Sequence, residues 1–220
     1  MDTIEQEIKF KIWKKRVESN DCTIHSAEPI NEIRKKDGSL LFALLKTEVI
    51  SPENKKLPHI LFLRGDACVI VILLRNKSTG EEKFLMVRQR RIGNGQMCLE
   101  FPAGMLDESS NAPEVAVREI FEETGLPLKE DELFALTDTV LYSSAGASDE
   151  GIHYFGALKE VDDQTFNSFF DKEGGCCDEN EHISTTLMSR TDAEQETTSL
   201  QARLGFFLFE QHINRAKEQQ

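Results

Sequence analysis

The sequence predicts an α+β fold: a sheet sandwiched by helices, with a small β-rich extension at the N-terminus. Three observations predict it. Ala67-Cys68-Val69-Ile70-Val71-Ile72-Leu73-Leu74 is a β-branched-rich run suited to a strand buried on both faces. Strands are followed by isolated helices rather than by strict βαβ alternation. The segment Ser51-Pro52-Glu53-Asn54-Lys55-Lys56-Leu57-Pro58 is polar and proline-bracketed, which reads as a linker. It divides an extension at residues 1–57 from a domain at residues 58–220.

The elements follow in order. Residues 4–17 place Ile4, Ile8, Ile12 and Trp13 near helical spacing, compatible with a short helix or an irregular strand. Leu40-Leu41-Phe42-Ala43-Leu44-Leu45 follows the turn signal Lys36-Asp37-Gly38 and reads as a strand. After the run at 67–74, Asn76-Lys77-Ser78-Thr79-Gly80 turns the chain and Phe84-Leu85-Met86-Val87 returns, so the two runs make a hairpin. Cys98-Leu99-Glu100-Phe101 is a third short strand, ended by Pro102. Further strands are expected at 133–141, 152–158 and 183–188. Residues 200–217 place Leu204, Phe207, Leu208 and Ile213 near one face and read as a closing helix.

Composition narrows the function. The chain has 220 residues, 39% of them hydrophobic, enough for one good-sized core. Its 26 basic and 39 acidic residues give a net charge of −13. That field repels a nucleic-acid backbone or an anionic membrane, so neither is expected as a partner. An anionic small molecule is repelled too, unless divalent cations fill an acidic site. The five cysteines (Cys22, Cys68, Cys98, Cys176 and Cys177) are odd in number and form no C-x-x-C pair, so all are read as reduced. With no apolar leader, membrane-length run or C-terminal peroxisomal address in view, the expected location is cytoplasmic.

The most informative segment is acidic. Asn111-Ala112-Pro113-Glu114 signals a helix start, with Asn111 as cap and Pro113 tolerated in the first turn; Gly125 signals the stop. Between them Ala116, Val117, Ile120, Phe121 and Thr124 are expected on one side, and Glu119, Glu122 and Glu123 on the other. Like charges on adjacent turns destabilise a helix by a few tenths of a kcal/mol per pair, roughly. Near a helix C-terminus the macrodipole adds to the penalty. A divalent cation removes the conflict, because carboxylates gathered on one face are hard oxygen ligands suited to Mg²⁺ or Mn²⁺. The competing reading is a plain solvated face.

Upstream, Leu99-Glu100-Phe101-Pro102-Ala103-Gly104-Met105-Leu106-Asp107 is a strand that breaks into a Pro/Gly loop and leads to this helix. From Gly104 onward the sequence resembles the Nudix box: Gly104, five residues, a glutamate position, seven residues, then Arg118-Glu119-Ile120-Phe121-Glu122-Glu123-Thr124-Gly125-Leu126. One position departs: Ser110 stands where the family has its first glutamate. Asp107, Glu108 and Glu114 are candidates to take its place. The resemblance implies a Nudix-type α/β/α sandwich with a mixed sheet, Mg²⁺ (with Mn²⁺ able to substitute) as cofactor, and pyrophosphohydrolase activity.

Two further segments resemble the ADP-ribose and ADP-sugar pyrophosphatase branch. They are Gln89-Arg90-Arg91 before Glu100-Phe101-Pro102-Ala103-Gly104, and Ser144-Ala145-Gly146-Ala147-Ser148-Asp149-Glu150, in which Ala145 replaces the branch's proline. Asp178-Glu179-Asn180-Glu181-His182 resembles the acidic loop that supplies a catalytic glutamate there. The implied reaction is water attack on a pyrophosphate phosphorus of a nucleoside diphosphate sugar, of ADP-ribose or ADP-glucose type, giving AMP and a sugar phosphate. By carry-over, Ala103 (through its carbonyl), Glu119, Glu123 and Glu181 hold metal. Glu179, Glu122 and Arg118 serve catalysis, with Glu179 the candidate base and Glu181 able to exchange roles with it. Arg91, Glu100 and Arg64 bind substrate, and the resemblance implies a homodimer with residues 1–57 as its dimerisation segment. The rival readings are a Nudix hydrolase of a UDP-sugar, NADH, FAD or a dinucleoside polyphosphate, and a catalytically weak nucleotide- or protein-binding module.

Overall fold

A computed structural model describes residues 3–107, 111–170, 172–174 and 182–218. The chain forms two compact units, each crossed by the chain more than once. One comprises residues 1–67, 105–110 and 140–152; the other comprises residues 68–104, 111–139 and 153–220.

The N-terminal unit is built from helix α1 (Ile8–Glu18), preceded by a 3₁₀ turn at Ile4–Gln6, and a three-stranded antiparallel sheet of β1 (Thr23–Arg34), β2 (Leu40–Ile50) and β3 (Ile60–Leu63). Of the two readings for residues 4–17, the helix holds. Its core gathers Phe10 and Trp13 from α1 against Leu40, Ala43, Leu45, Val49 and Leu63. Strand β1 has no apolar alternation to announce it. It is an edge strand with Pro29 in its middle and register shifts along its length, so propensity gives little sign of it. Residues 51–58, expected as a linker, form a hydrogen-bonded turn. The Ser51 N–H donates to the Lys55 carbonyl (2.9 Å) and the Leu57 N–H to the Val49 carbonyl (2.9 Å), and β3 then returns beside β2.

The second sheet has β4 (Ala67–Asn76) and β5 (Glu82–Arg90) near its centre. Its path runs β11 (Glu173–Gly174), β12 (Ile183–Met188), β5, β4, β10 (Gly151–Val161) and β8 (Phe134–Ala135). Strand β6 (Met97–Glu100) adds to β5, β7 (Ala103–Met105) to β4, and β9 (Leu141–Tyr142) to β10. The expected hairpin is present, with Ile72 opposite Leu85. From Cys68 to Ile72 no residue of β4 is more than 5% exposed, as its unbroken apolar run requires.

Successive residues of β4 face opposite ways. Val71 meets Gly205 of α5 (Leu200–Glu218), where an added Cβ would lie 3.0 Å away. Cys68 faces the other side, toward the carboxylates of α2 (Ala112–Thr124). Helices therefore cover both faces, and the α/β/α sandwich is realised. Phe206 and Phe209 of α5 pack edge-on to Phe84, at 4.9 and 5.6 Å between centroids. Two shorter helices, α3 (Asp163–Asn167) and α4 (Arg190–Glu196), are capped by Asp162 and Ser189.

The strand expected at 133–141 is a correction: only its ends pair, as β8 and β9. Between them the Thr137 hydroxyl donates to the Thr139 carbonyl at 2.8 Å, a local side-chain bond that competes with the ladder. Among the described residues no helix is long and apolar enough to cross a membrane.

Candidate active site

The loop and helix of the acidic motif are held by the second unit's sheet. The Pro102 carbonyl accepts the Ile70 N–H (2.9 Å), which joins the β6–β7 turn to β4. Helix α2 begins after Asn111 at the N-cap and ends at Gly125, whose φ of 74° lets its N–H reach the Phe121 carbonyl at 2.8 Å. That left-handed stop is where glycine is needed.

The glutamates do not share one solvated face, contrary to the expectation from spacing. Glu123 is only 7% exposed, whereas Phe121, expected on the packed side, is 59% exposed. At about 100° per residue, Glu123 falls between Ala112 and Ala116, in the middle of an arc bounded by Val115 and Thr124. All five are buried. Glu119 falls inside that arc too, between Val115 and Ala112, its side chain 18% exposed, while Glu122 lies outside it at 51%. The dominant cost is therefore not repulsion between neighbouring carboxylates but desolvation, of order several kcal/mol per buried ion.

What Glu119 and Glu123 touch is the box loop. A Cβ on Gly104 would lie 2.1 Å from Glu119 Cδ and 2.5 Å from its Oε1, so only a glycine admits this carboxylate against the backbone. Glu123 Oε2 accepts the Ala103 N–H at 3.3 Å. Cys68 lies beneath, its thiol 3.6 Å from the Gly104 carbonyl. Burial pushes that thiol up to about 12, with the charges of Glu119 and Glu123 adding to the shift. It is a protonated small hydrophobe, not a nucleophile.

Arg118 reaches Glu119 at 3.2 Å and Glu122 at 3.9 Å across the outer face. Arg91, just past β5, closes a fork on Glu100 of β6, with Nε and the terminal nitrogen at 2.8 and 2.7 Å. The hairpin between them is fixed by the Arg91 N–H on the Gln96 carbonyl (3.0 Å). Of the ten residues expected at the site, Ala103, Glu119, Glu123, Arg118 and Glu122 thus come together on the box loop and α2, and Arg91 pairs with Glu100. Glu179 and Glu181 lie outside the described residues, as does Ser110.

Arg64 belongs to the N-terminal unit. There its Nε lies 2.9 Å from Glu150, and the Ser143 hydroxyl donates to the same carboxylate at 2.7 Å. The adjoining turn is held by Asp149, which accepts the N–H groups of Arg64 (2.7 Å) and Gly65 (3.2 Å). Burial raises the Asp149 carboxyl above its ordinary range against the pull of those donors. Glu150 was given no role from sequence, although it closes the Ser-x-Gly-x-x-x-Glu pattern, which was the available signal.

The donor set suits a hard divalent ion: two carboxylates from one helix, pressed against a loop that a Cβ would fill. Among the described residues no three His, Cys, Asp or Glu side chains form a ready-made metal cage. The set implied by the resemblance draws its other ligands from the Ala103 carbonyl and from Glu181.

A NUDIX domain is matched over residues 65–205. The chain belongs to the Nudix hydrolase family. The family's members are pyrophosphohydrolases that generally use divalent metal ions, and this chain carries their box on α2. It is 28% identical over 219 residues to Nudix hydrolase 14, chloroplastic, of Arabidopsis thaliana, a match covering 91% of this chain and 69% of that one. It is 38% identical over 78 residues to an ADP-ribose pyrophosphatase of Bacillus subtilis (strain 168), covering 35% of this chain and 40% of that one. Among solved structures, a crystal structure of an ADP compounds hydrolase superposes with a TM-score of 0.57 at 14% identity. That match covers 89% of this chain and 95% of that one, and it shows that the fold is shared.

Proposed function

We propose that this Nudix protein hydrolyses the pyrophosphate of a nucleoside diphosphate sugar, of ADP-ribose or ADP-glucose type, to AMP and a sugar phosphate, with Mg²⁺ as cofactor. The observation that carries the metal-dependent chemistry is the packing of Glu119 against Gly104 beside a buried Glu123. Support for the substrate class comes from the name of the Bacillus relative and from Gln89-x-Arg91 and Glu100-Phe101-Pro102-Ala103-Gly104.

Glu119, Glu123, the Ala103 carbonyl and Glu181 would hold the metal, which supplies Lewis acidity and charge neutralisation at the pyrophosphate. The chain's own groups divide the remaining work. Glu179 takes a proton from the attacking water. Arg118, spanning Glu119 and Glu122, keeps the carboxylate row apart and oriented. Arg91 offers a planar fork to phosphate; Glu100, which holds that fork now, presents it for exchange. Arg64 is the remaining substrate-binding residue that the resemblance implies.

A homodimer fits this reading. Ile33, Ile60 and Phe62 of the three-stranded sheet are 51%, 40% and 36% exposed, an apolar surface suited to a second copy. Light scattering at micromolar concentration tests it.

The central experiment is a panel of ADP-ribose, ADP-glucose, UDP-glucose, NADH, FAD and diadenosine polyphosphates with Mg²⁺ or Mn²⁺, read as released mononucleotide. AMP from the ADP-sugars, lost on chelation, is the expected result. Preference for another member moves the substrate assignment, and no turnover on any of them leaves a binding module.

A further inference from the structure

Helix α2 has no basic residue in its last turn, although Glu119, Glu122 and Glu123 crowd that end. The cation comes from elsewhere in the chain. Lys172 Nζ donates to the Thr124 carbonyl at 3.0 Å, on the residue next to Glu123. A positive group at this terminus satisfies an orphan carbonyl and opposes the macrodipole.

The lysine is itself fastened. Its carbonyl accepts the Thr185 N–H of β12 at 2.8 Å, and its ammonium lies 5.8 Å from the Phe169 ring centroid. Gly125 makes the approach possible, because a Cβ there would stand 2.6 Å from Lys172 Nζ. The glycine therefore has two separable functions: a positive φ that stops the helix, and a slot that admits the ammonium.

We infer that Lys172 is a positioning residue of the metal site, fixing the last turn of α2, and with it Glu123 and Glu119, to the β11–β12 hairpin. This hairpin brackets in sequence the segment from which the resemblance draws Glu179 and Glu181. Lys172 thus ties the last turn of α2, which carries Glu123, to β12. The inference rests on the proposed reading of Glu119 and Glu123 as metal ligands.

The test is Mn²⁺ affinity, measured by EPR titration without substrate on the full chain, with folded fraction followed by circular dichroism. Lys172→Met is expected to weaken Mn²⁺ binding about tenfold, in the range for groups that orient metal ligands, and Lys172→Arg to recover most of it. Gly125→Asn separates the two glycine functions. Asparagine tolerates the left-handed conformation, but its Cβ displaces the ammonium. It should match Lys172→Met, and the double variant should bind no more weakly than either single one. Wild-type binding with Lys172→Met unchanged overturns the role of Lys172 alone. Absence of Mn²⁺ binding in the wild type overturns the metal reading and this role with it.

Discussion

Lys9, with only 2% of its side chain exposed, holds Asp107 at 2.9 Å, and Asp107 lies in the loop that leads from Gly104 to α2. Lys35 grips the other carboxylate oxygen at 2.6 Å, and Lys9 also donates to the Leu41 carbonyl at 2.7 Å. Gly65, at a φ of 83°, leaves room for the lysine stem, which a Cβ there would meet at 3.1 Å. The N-terminal segment therefore holds Asp107 within its own unit.

Removing one partner of this pair leaves a buried charge without compensation, which typically costs about 3–5 kcal/mol. Asp107→Ala should therefore lower the urea midpoint strongly. Lys9→Met keeps the apolar stem and discards the charge, so its cost should be clearly smaller. A small loss in Asp107→Ala, no larger than that in Lys9→Met, would mean that the lysine serves as packing and not as an ion partner.

The Gly104–Glu119 contact gives a sharper expectation. Gly104→Ala introduces a Cβ 2.1 Å from Glu119 Cδ, so the carboxylate must leave its place. We expect hydrolysis to fall by about two orders of magnitude, in the range for misplaced metal-site groups, while the thermal midpoint shifts by only a few degrees. Full activity in this variant, measured as AMP release, would show that Glu119 has no fixed position in the reaction.

How much of this was legible in the sequence depends on the range of the interaction. Helix α2 and its ends were readable because capping, proline and glycine signals are local. Strands β4, β5 and β12 were readable because apolar runs report burial directly. The orientation of Glu123 was not: a strictly polar residue in the middle of a buried arc defies the pattern rule, and such violations mark functional sites. Lys9 and Lys172 were also invisible, because their partners lie 98 and 48 residues away respectively and surface-type residues carry no sign of where they are buried. The broken strand at 133–141 failed for a local reason, the side-chain bond at Thr137.

The thiol of Cys68 provides a test that needs no substrate. Fully buried and pushed up to about 12, it should resist alkylation at pH 8 in the native protein and react only on unfolding, as peptide mapping would show. Its linkage has a definite sign. Between the ordinary thiol value of 9.0 and about 12 the unfolded chain releases the proton and the folded chain keeps it. Its contribution to stability is therefore complete below pH 9 and declines as pH rises toward 12. Wild type should lose stability relative to Cys68→Ala across that window; a constant difference would contradict the raised value.

Glu122 and Glu123 are adjacent in sequence and both were expected at the site, yet their surroundings differ. Glu123 is buried with the Ala103 N–H on its carboxylate, whereas Glu122 is half in solvent, 3.9 Å from Arg118. A carboxylate held in low dielectric against the box loop interacts far more strongly with a nearby cation than one screened by water. Glu123→Gln should therefore reduce kcat by at least about a hundredfold and abolish tight Mn²⁺ binding, with stability unchanged or improved because a buried charge is removed. Glu122→Gln should cost less than about tenfold, and its effect should shrink as salt is raised. Measuring kcat, Mn²⁺ affinity and urea midpoint for both separates the roles. If Glu122→Gln proves the more damaging of the two, the exposed carboxylate acts on the reaction directly and the assignment of the buried one to metal must be given up.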